Sequence, residues 1–174
     1  MIRTATPSDA KAVAAVNVKS WQVIYRGHFP DKYLESLSVA RRTASWSRLI
    51  KHRAGDTAVF ELAEQIVGFV TVQQSRDVGT EQDVGQITAI YLHPHHWRRG
   101  YGSALVGWAK DRAEEKGWRR LTLWVLRENT RARAFYERLG FAADGAKKDA
   151  VLGDGTSFVE VRYAYSRATR QRSG

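Results

Sequence analysis

Cysteine is absent from the sequence, and so is any long uninterrupted apolar segment. Without cysteine the chain can form no disulfide, and it has neither a thiolate nucleophile nor a cysteine metal site. No segment has the apolar core of a secretory signal, and none has the length that a membrane-spanning helix needs. We therefore expect a cytoplasmic protein with no membrane partner.

Acidic residues are scarce beside basic ones: 18 against 28, which gives a formal net charge of +10 and a pI of about 10.1. A balance of this kind can indicate nucleic-acid binding. The basic residues are scattered, however, and many fall on predicted exposed helix positions, as at Arg41, Arg42, Arg131 and Arg133. We therefore interpret the charge as a basic surface that attracts a polyanionic cofactor, and we do not expect a nucleic-acid partner.

The length and the apolar content favour one packed domain. The chain has 174 residues, of which 43% are hydrophobic, and this is enough for a full core. We assign residues 1–166 to a single domain. Residues 167–174 are basic and poor in apolar side chains, so we expect a frayed tail.

The most informative stretch joins a predicted strand to a predicted helix through a glycine-containing turn. Residues 87–92 are β-branched and aromatic, which is typical of a strand, and apolar residues recur at helical spacing from Leu105 to Ala113. Backbone N–H groups converge at such a helix N-terminus, and the helix dipole adds partial positive charge there. The stretch therefore predicts an anion site.

Several side chains of this turn suit a phosphate ligand. Arg98 and Arg99 supply forked donors, and Gly100 and Gly102 remove Cβ atoms where a ligand would press against the backbone. A dinucleotide fingerprint would need a third glycine, where this chain has Leu105, and a P-loop would need a Gly-Lys-Ser/Thr ending that is absent.

Two motifs resemble those of the GNAT acetyltransferase superfamily. Residues 97–102, Trp-Arg-Arg-Gly-Tyr-Gly, resemble its acetyl-CoA pyrophosphate loop, [QR]-x-x-G-x-[GA], although Trp97 replaces the usual Gln or Arg. Residues 129–141 resemble its N-x-x-A-x-x-x-Y-x-x-x-G-F helix, at the usual distance from the loop. The resemblance covers about residues 2–165. It implies an α/β (α+β) GNAT fold, with a central mixed, mostly antiparallel, splayed sheet of about seven strands flanked by helices.

The resemblance also implies acetyl-CoA as the acyl-donor cosubstrate. In this family the pantetheine arm pairs with the strand before the loop, the loop holds the pyrophosphate, and the second motif holds the cofactor arm. The matching cofactor-binding residues are Ile90, Tyr91, Leu92, Trp97, Arg98, Arg99, Gly100, Tyr101, Gly102, Ser103, Asn129, Ala132 and Tyr136. We expect no metal, since His93, His95 and His96 have no further ligand at suitable spacing.

The implied reaction is acetyl transfer to a primary amine by direct attack on the thioester in a ternary complex. Tyr136 matches the family's general acid, which would protonate the departing thiolate. The general base is open, because Gln86 stands where many relatives have Glu and an amide cannot accept the proton. Glu128, His93 and Glu61 are candidates, and we assign Glu128 with Tyr136 as catalytic.

The acceptor is less well determined. Trp21, Tyr25, Arg26 and His28 belong to a pattern found in a common bacterial branch of the superfamily, where this segment walls the acceptor site, and we assign them to substrate binding. The polar connection 74–85 carries negative charge that could face a cationic acceptor, on Asp77, Glu81 and Asp83.

A small-molecule amine, such as a polyamine, an amino acid or an antibiotic, is the leading acceptor. The alternatives are a protein N-terminus or lysine, aminoacyl-tRNA, and a non-catalytic module that binds acetyl-CoA or nucleic acid. Because dimers are usual in the superfamily, the resemblance also leaves a homodimer open.

Overall fold

The computed structural model describes residues 1–52 and 55–166, so the predicted tail at 167–174 lies outside the described residues. A seven-stranded mixed sheet forms its centre, in the order β1-β2-β3-β4-β5-β7-β6, as the predicted fold class requires. The strands are β1 (Ile2–Thr4), β2 (Asp56–Leu62), β3 (Gln65–Gln74), β4 (Val84–Leu92), β5 (Arg120–Leu126), β6 (Ala142–Val151) and β7 (Ser157–Ser166).

Five α-helices cover the two faces of this sheet. They are α1 (Ala10–Ile24), α2 (Asp31–Glu35), α3 (Val39–Lys51), α4 (Tyr101–Glu115) and α5 (Thr130–Arg138). One core packs apolar residues of α4 and α5 against β2–β5 and β7, and a second packs α1 and α3 against the opposite face of β2–β4. The sheet is therefore buried on both faces near its centre.

The apolar runs at 57–63 and 66–72 predict a hairpin across Glu64-Gln65. The hairpin forms, but its turn lies one residue earlier, at Ala63 and Glu64, because β3 begins at Gln65. Their φ angles are +44° and +63°. Two positive φ angles give the turn a twist that matches the right-handed twist of the strands, which outweighs the cost for residues with side chains.

The parallel pairing between β4 and β5 ends halfway along both strands. It joins Val84–Ile87 to Arg120–Leu123. Beyond this point β4 continues to Leu92 and β5 to Leu126 without pairing to each other. The splayed sheet predicted from the resemblance is thus present, and we call this opening the β4–β5 gap.

A β-bulge lies on β4 where the gap begins. Thr71 of β3 pairs with Ala89 and Val72 pairs with Ile87, so Thr88 is the extra residue on β4. Bulges bend a strand and increase its local twist. The bulge therefore helps to turn the end of β4 away from β5.

Gly85 lies on the paired part of β4, directly under the ring of Trp118. A Cβ at this position would lie 2.1 Å from Cε3 of Trp118, which is itself buried. We predict that Gly85→Ala lowers the free energy of unfolding by about 1–3 kcal/mol, because the core would be overpacked. Urea denaturation measures this change.

Gly107→Ala is the matched control in helix α4. A Cβ there has nothing within 4 Å, so the substitution should raise stability by about 0.5–1 kcal/mol through helix propensity. Equal effects of the two alanines would contradict the packing assigned to Gly85.

Candidate active site

A groove of about 850 Å³ opens at the β4–β5 gap. Its walls come from the end of β4, the 97–103 loop with the start of α4, and helix α5 with the residues before it. Of the predicted cofactor residues it is lined by Ile90, Tyr91, Leu92, Trp97, Arg98, Gly100, Gly102, Ser103, Asn129, Ala132 and Tyr136. The structure therefore brings the two sequence motifs to the same groove.

The 97–103 loop presents backbone amides at one end of the groove. Gly100 has a φ of +82° and caps α4, and the first helical hydrogen bond runs from Ala104 N to Gly100 O at 3.1 Å. The amides of Tyr101, Gly102 and Ser103 precede that bond, so they are free to donate to an anion. Arg98 is exposed in the groove lining and has no ion-pair partner among the described residues.

Two predicted loop residues lie outside the groove lining. Arg99 is exposed without lining the groove, and the ring of Tyr101 packs on Phe60 with ring centroids 4.7 Å apart. Tyr101 can therefore contribute its backbone amide, whereas its side chain anchors α4 to the sheet.

Trp97 connects the end of β4 to the start of α5. Its Nε1 donates a hydrogen bond of 2.7 Å to Leu92 O, and the guanidinium of Arg131 lies 4.2 Å from its ring centroid. Arg131 lines the groove as well. A cation–π contact of this kind fixes the guanidinium at the anion end of the groove.

Sequence reasoning missed this role of Arg131. In the sequence, Arg131 falls on a predicted exposed helix position, like the other scattered basic residues. The available signal was Trp97 itself, since an aromatic residue in place of a polar phosphate ligand offers a face on which a cation can stack.

Asn129 caps helix α5 at the groove. Its Oδ1 accepts a hydrogen bond of 3.0 Å from Ala132 N, as an N-cap side chain should. The side-chain amide nitrogen has no partner among the described residues, so it can donate to a ligand in the groove.

Tyr136 lies deeper, at the wall that α5 forms. Only 9% of the residue is exposed, and its ring contacts those of Phe135 and Phe141. Within the described residues its hydroxyl has no hydrogen-bond partner. Burial, with a smaller contribution from Tyr91, raises the pKa of Tyr136 well above its usual value of 10.0. The phenol is therefore protonated throughout the physiological range and can act as a donor.

The three candidate bases lie in different surroundings. Glu128 lines the groove, but its side chain is 44% exposed, and a hydrogen bond of 2.9 Å from Arg127 lowers its pKa. Glu61 pairs with Arg3 at 2.7 Å, outside the groove lining. Burial lowers the pKa of His93, which keeps the imidazole neutral near pH 7, but His93 is also outside the lining.

A loop carboxylate lies beside Gln86. Asp77, from the connection between β3 and β4, accepts a bond of 3.3 Å from Gln86 Nε2 and two bonds of 3.1 Å from Trp124 Nε1. Arg162 also donates to Asp77 at 3.1 Å. The chain thus places a carboxylate next to Gln86, and both oxygens of this carboxylate already accept hydrogen bonds.

Of the four predicted acceptor residues, two pack in an aromatic cluster, one lines the groove and one lies outside both. Trp21 and Tyr25 form an aromatic cluster with Phe29, with a Trp21–Tyr25 centroid distance of 4.8 Å. Trp21 Nε1 is buried, and Trp21 is close enough to Tyr91 to act on the pKa of that phenol. His28 lines the groove, and its charge contributes to the lowered pKa of Glu128, after Arg127. Arg26 lies outside the lining, where its backbone bridges to Phe29.

Residues 1–52 and 55–166 hold no group of three side chains arranged to bind a metal ion. In the same residues no helix has the length and apolarity needed to span a bilayer.

The family to which the chain belongs follows from a match to a protein-family model. The model described as "Acetyltransferase (GNAT) family" matches residues 18–141, which include both motifs and the whole gap. The chain belongs to the GNAT acetyltransferase family. The family predicted from the two motifs is therefore confirmed, and the seven-stranded sheet agrees with it.

Curated GNAT relatives carry the N-acetyltransferase name. An uncharacterised N-acetyltransferase of Methanocaldococcus jannaschii is 33% identical over 141 residues, covering 80% of this chain and 59% of that protein. The chain therefore spans somewhat over half of that relative's length. The uncharacterised N-acetyltransferase YuaI of Bacillus subtilis is 30% identical over 129 residues, covering 74% of this chain and 72% of that protein.

Solved structures share the fold over almost the whole chain. PaiA N-acetyltransferase of Thermoplasma acidophilum, in complex with coenzyme A, is similar with a TM-score of 0.75 and 20% identity, covering 96% of this chain and 98% of that one. The yncA protein of Salmonella typhimurium, with its cofactor acetyl-CoA, is similar with a TM-score of 0.71 and 17% identity, covering 95% and 92%. At these identities the likeness concerns the fold.

Gly102, in the lining of the anion end, allows a sharp test. A Cβ on Gly102 would lie 3.2 Å from the ring of Phe135, and a glutamate there would direct its carboxylate into the groove. We predict that Gly102→Glu lowers acetyl-CoA affinity at least about 100-fold, because it adds both bulk and like charge against the pyrophosphate. Calorimetric titration with acetyl-CoA measures the affinity.

Gly107→Glu introduces the same charge into the same helix, where a Cβ meets nothing within 4 Å. This control should keep the wild-type affinity. An unchanged affinity in Gly102→Glu would mean that the 97–103 loop does not hold the pyrophosphate.

Proposed function

We propose that this GNAT protein transfers the acetyl group of acetyl-CoA to a primary amine of a small molecule, by direct attack of the amine on the thioester in a ternary complex. One observation carries the proposal. At the β4–β5 gap, a loop with free backbone amides lies at one end of the groove, and the wall carries a protonated tyrosine hydroxyl that has no hydrogen-bond partner in the described residues. Both features line the same groove, so one extended phosphate-bearing thioester can contact both.

The unpaired edge of β4 is the natural partner of the pantetheine arm. Residues 88–92 lack a neighbour on the β5 side, so their backbone groups can pair with the amides of the arm as a short strand would. A backbone N–H at this edge can also polarise the thioester carbonyl and stabilise the oxyanion. Asn129 adds a side-chain donor at the opposite wall.

Attack requires a neutral amine. A lysine-like amine with a pKa of about 10.4 is neutral about once in 2,500 molecules at pH 7, which is equivalent to about 4.6 kcal/mol. Glu128 is accessible at the rim but is made less basic by Arg127. We assign Glu128 to accepting the proton through water at the rim, since His93 and Glu61 do not line the groove.

Tyr136 protonates the departing thiolate. Its high pKa makes it a weak acid, so the transfer depends on close positioning and on release of the product. Burial of the ring against Phe135 and Phe141 supplies that positioning.

A thiol-release assay with acetyl-CoA tests the activity against polyamines, amino acids, aminoglycosides and short peptides. We expect turnover with one class of small amine. Tight acetyl-CoA binding together with no release on any member would contradict the small-molecule acceptor, and would favour a macromolecular acceptor or a non-catalytic protein.

Replacing the proposed acid should separate chemistry from binding. We predict that Tyr136→Phe lowers kcat by about 100-fold or more, because the proton donor is lost, while the Kd of acetyl-CoA stays within about two-fold. Stopped-flow or steady-state thiol release measures kcat, and calorimetry measures Kd.

Tyr165→Phe removes a hydroxyl from another tyrosine that packs on Phe141, outside the groove lining. Its turnover should match the wild type. If Tyr136→Phe retains full turnover, Tyr136 has no part in the mechanism.

A further inference from the structure

Trp124 stands at the closed end of the β4–β5 gap. It directly follows Leu123, the last residue of β5 that pairs with β4, and it is only partly buried. Leu123 and Val125 point into the core beneath α4, so Trp124 points to the opposite face of the sheet. Leu126, on the same face as Trp124, packs with Phe29 from the segment predicted to wall the acceptor.

A lysine ammonium of the chain occupies the face of this tryptophan. Lys148 Nζ lies 4.4 Å from the ring centroid of Trp124 and 3.1 Å from Glu160 Oε2. Glu160 pairs with Leu126 on one side and with Lys148 on the other, which puts its carboxylate on the same face. A ring face and a carboxylate together form a site for an ammonium group.

The other charges on this face are largely paired with each other. Arg162 donates to Asp77 at 3.1 Å and to Asp144 at 2.8 Å, and Arg120 donates to Asp144 as well. The guanidinium of Arg162 also lies 5.5 Å from the Trp124 ring centroid. Among these acidic groups, Glu160 is the one whose ion-pair partner in the described residues is a lysine, which has the same head group as an amine substrate.

The site lies on a sheet face that the groove also reaches. Tyr91 lines the groove from β4 and packs with the core on the face opposite α4, so it shares that face with Trp124 and Glu160. Burial is the main cause that raises the pKa values of Tyr91 and Tyr25, and the negative charge of Glu160 contributes to both shifts. A molecule that reaches from this carboxylate toward Tyr91 therefore enters the gap from the face opposite α4.

We propose that Trp124 and Glu160 bind a second, non-reacting ammonium group of the acceptor, and that Lys148 occupies this ammonium site until the acceptor displaces it. The inference rests on the proposed N-acetyltransferase function and names its substrate class: a molecule with two amines.

The chemistry of the site favours the non-reacting amine. A neighbouring carboxylate favours the charged form of an ammonium and so raises its pKa, whereas the attacking amine must be neutral. The same site would therefore hold one end of a diamine in its charged form while the other end reaches the thioester. Displacement is feasible because Lys148 is 44% exposed and can move into solvent.

Diaminopentane and pentylamine are the probes, because they differ only in the second amine. We expect the wild-type protein to acetylate diaminopentane with a KM about ten-fold or more below that of pentylamine. In Glu160→Gln and Trp124→Leu the KM values for the two amines should differ by no more than about two-fold. The KM for pentylamine and the Kd of acetyl-CoA should stay unchanged.

Lys148→Ala gives a change in the opposite direction. Removing the internal ammonium should lower the KM for diaminopentane about two- to five-fold, the amount that an exposed ion pair and a cation–π contact contribute. Lys147→Ala removes the neighbouring lysine, which is exposed on the same strand, and should leave the KM unchanged.

Binding measured without turnover separates this inference from the proposed function. Calorimetry of diaminopentane with the coenzyme A-loaded protein should show binding that is tighter in Lys148→Ala and lost in Glu160→Gln. If both amines are acetylated with equal KM, and Lys148→Ala changes nothing, the ammonium site is refuted while the N-acetyltransferase function stands. If diaminopentane binds as expected but no amine is acetylated, the function is refuted and the site stands.

Discussion

The candidate site depends on the point at which hydrogen bonding between β4 and β5 stops. Two parallel strands in the middle of a sheet normally pair along their length, because each unpaired backbone group costs free energy when it is buried. Here pairing ends at Ile87 and Leu123, and the end of β4 beyond this point lines a groove. A ligand with its own amides can satisfy them. The sheet order, the bulge at Thr88 and the helices on either face all serve to keep this opening in place.

The two ends of the groove are stabilised by different means. At the anion end, Trp97 holds the end of β4 through Leu92 O and offers its ring to Arg131, so a single side chain positions both the strand and a cation. At the wall formed by α5, Tyr136 is held by aromatic packing and is largely buried. The first end presents positive charge and backbone donors, which suits an anion, whereas the second presents a phenol in apolar surroundings.

Much of this arrangement could be predicted from the sequence. The glycine loop and the Asn129–Phe141 motif specify local backbone geometry, so they indicated the fold, the anion end of the groove and the cap of α5. The contacts that remained unpredicted join residues distant in the chain. Asp77 bonds to Trp124 across 47 positions, and Arg162 bonds to Asp77 across 85. No local pattern encodes such contacts, and the same applies to Arg131, whose role depends on the unusual residue at position 97.

The extra residue in β4 also reverses the strand's two faces. Before the bulge, Gln86 points to the face of α1 and Ile87 to the face of α4; after it, Tyr91 takes the first face and Ile90 and Leu92 take the second. A regular strand would put Gln86, Ile90 and Leu92 on one side. The extra residue Thr88 therefore shifts the alternation of side chains between the two faces of β4 by one position. The α1 face of β4 therefore carries Gln86 where the strand pairs with β5, and Tyr91 where it does not. One extra residue thus gives the paired part and the open part of β4 chemically different side chains on the same face of the sheet.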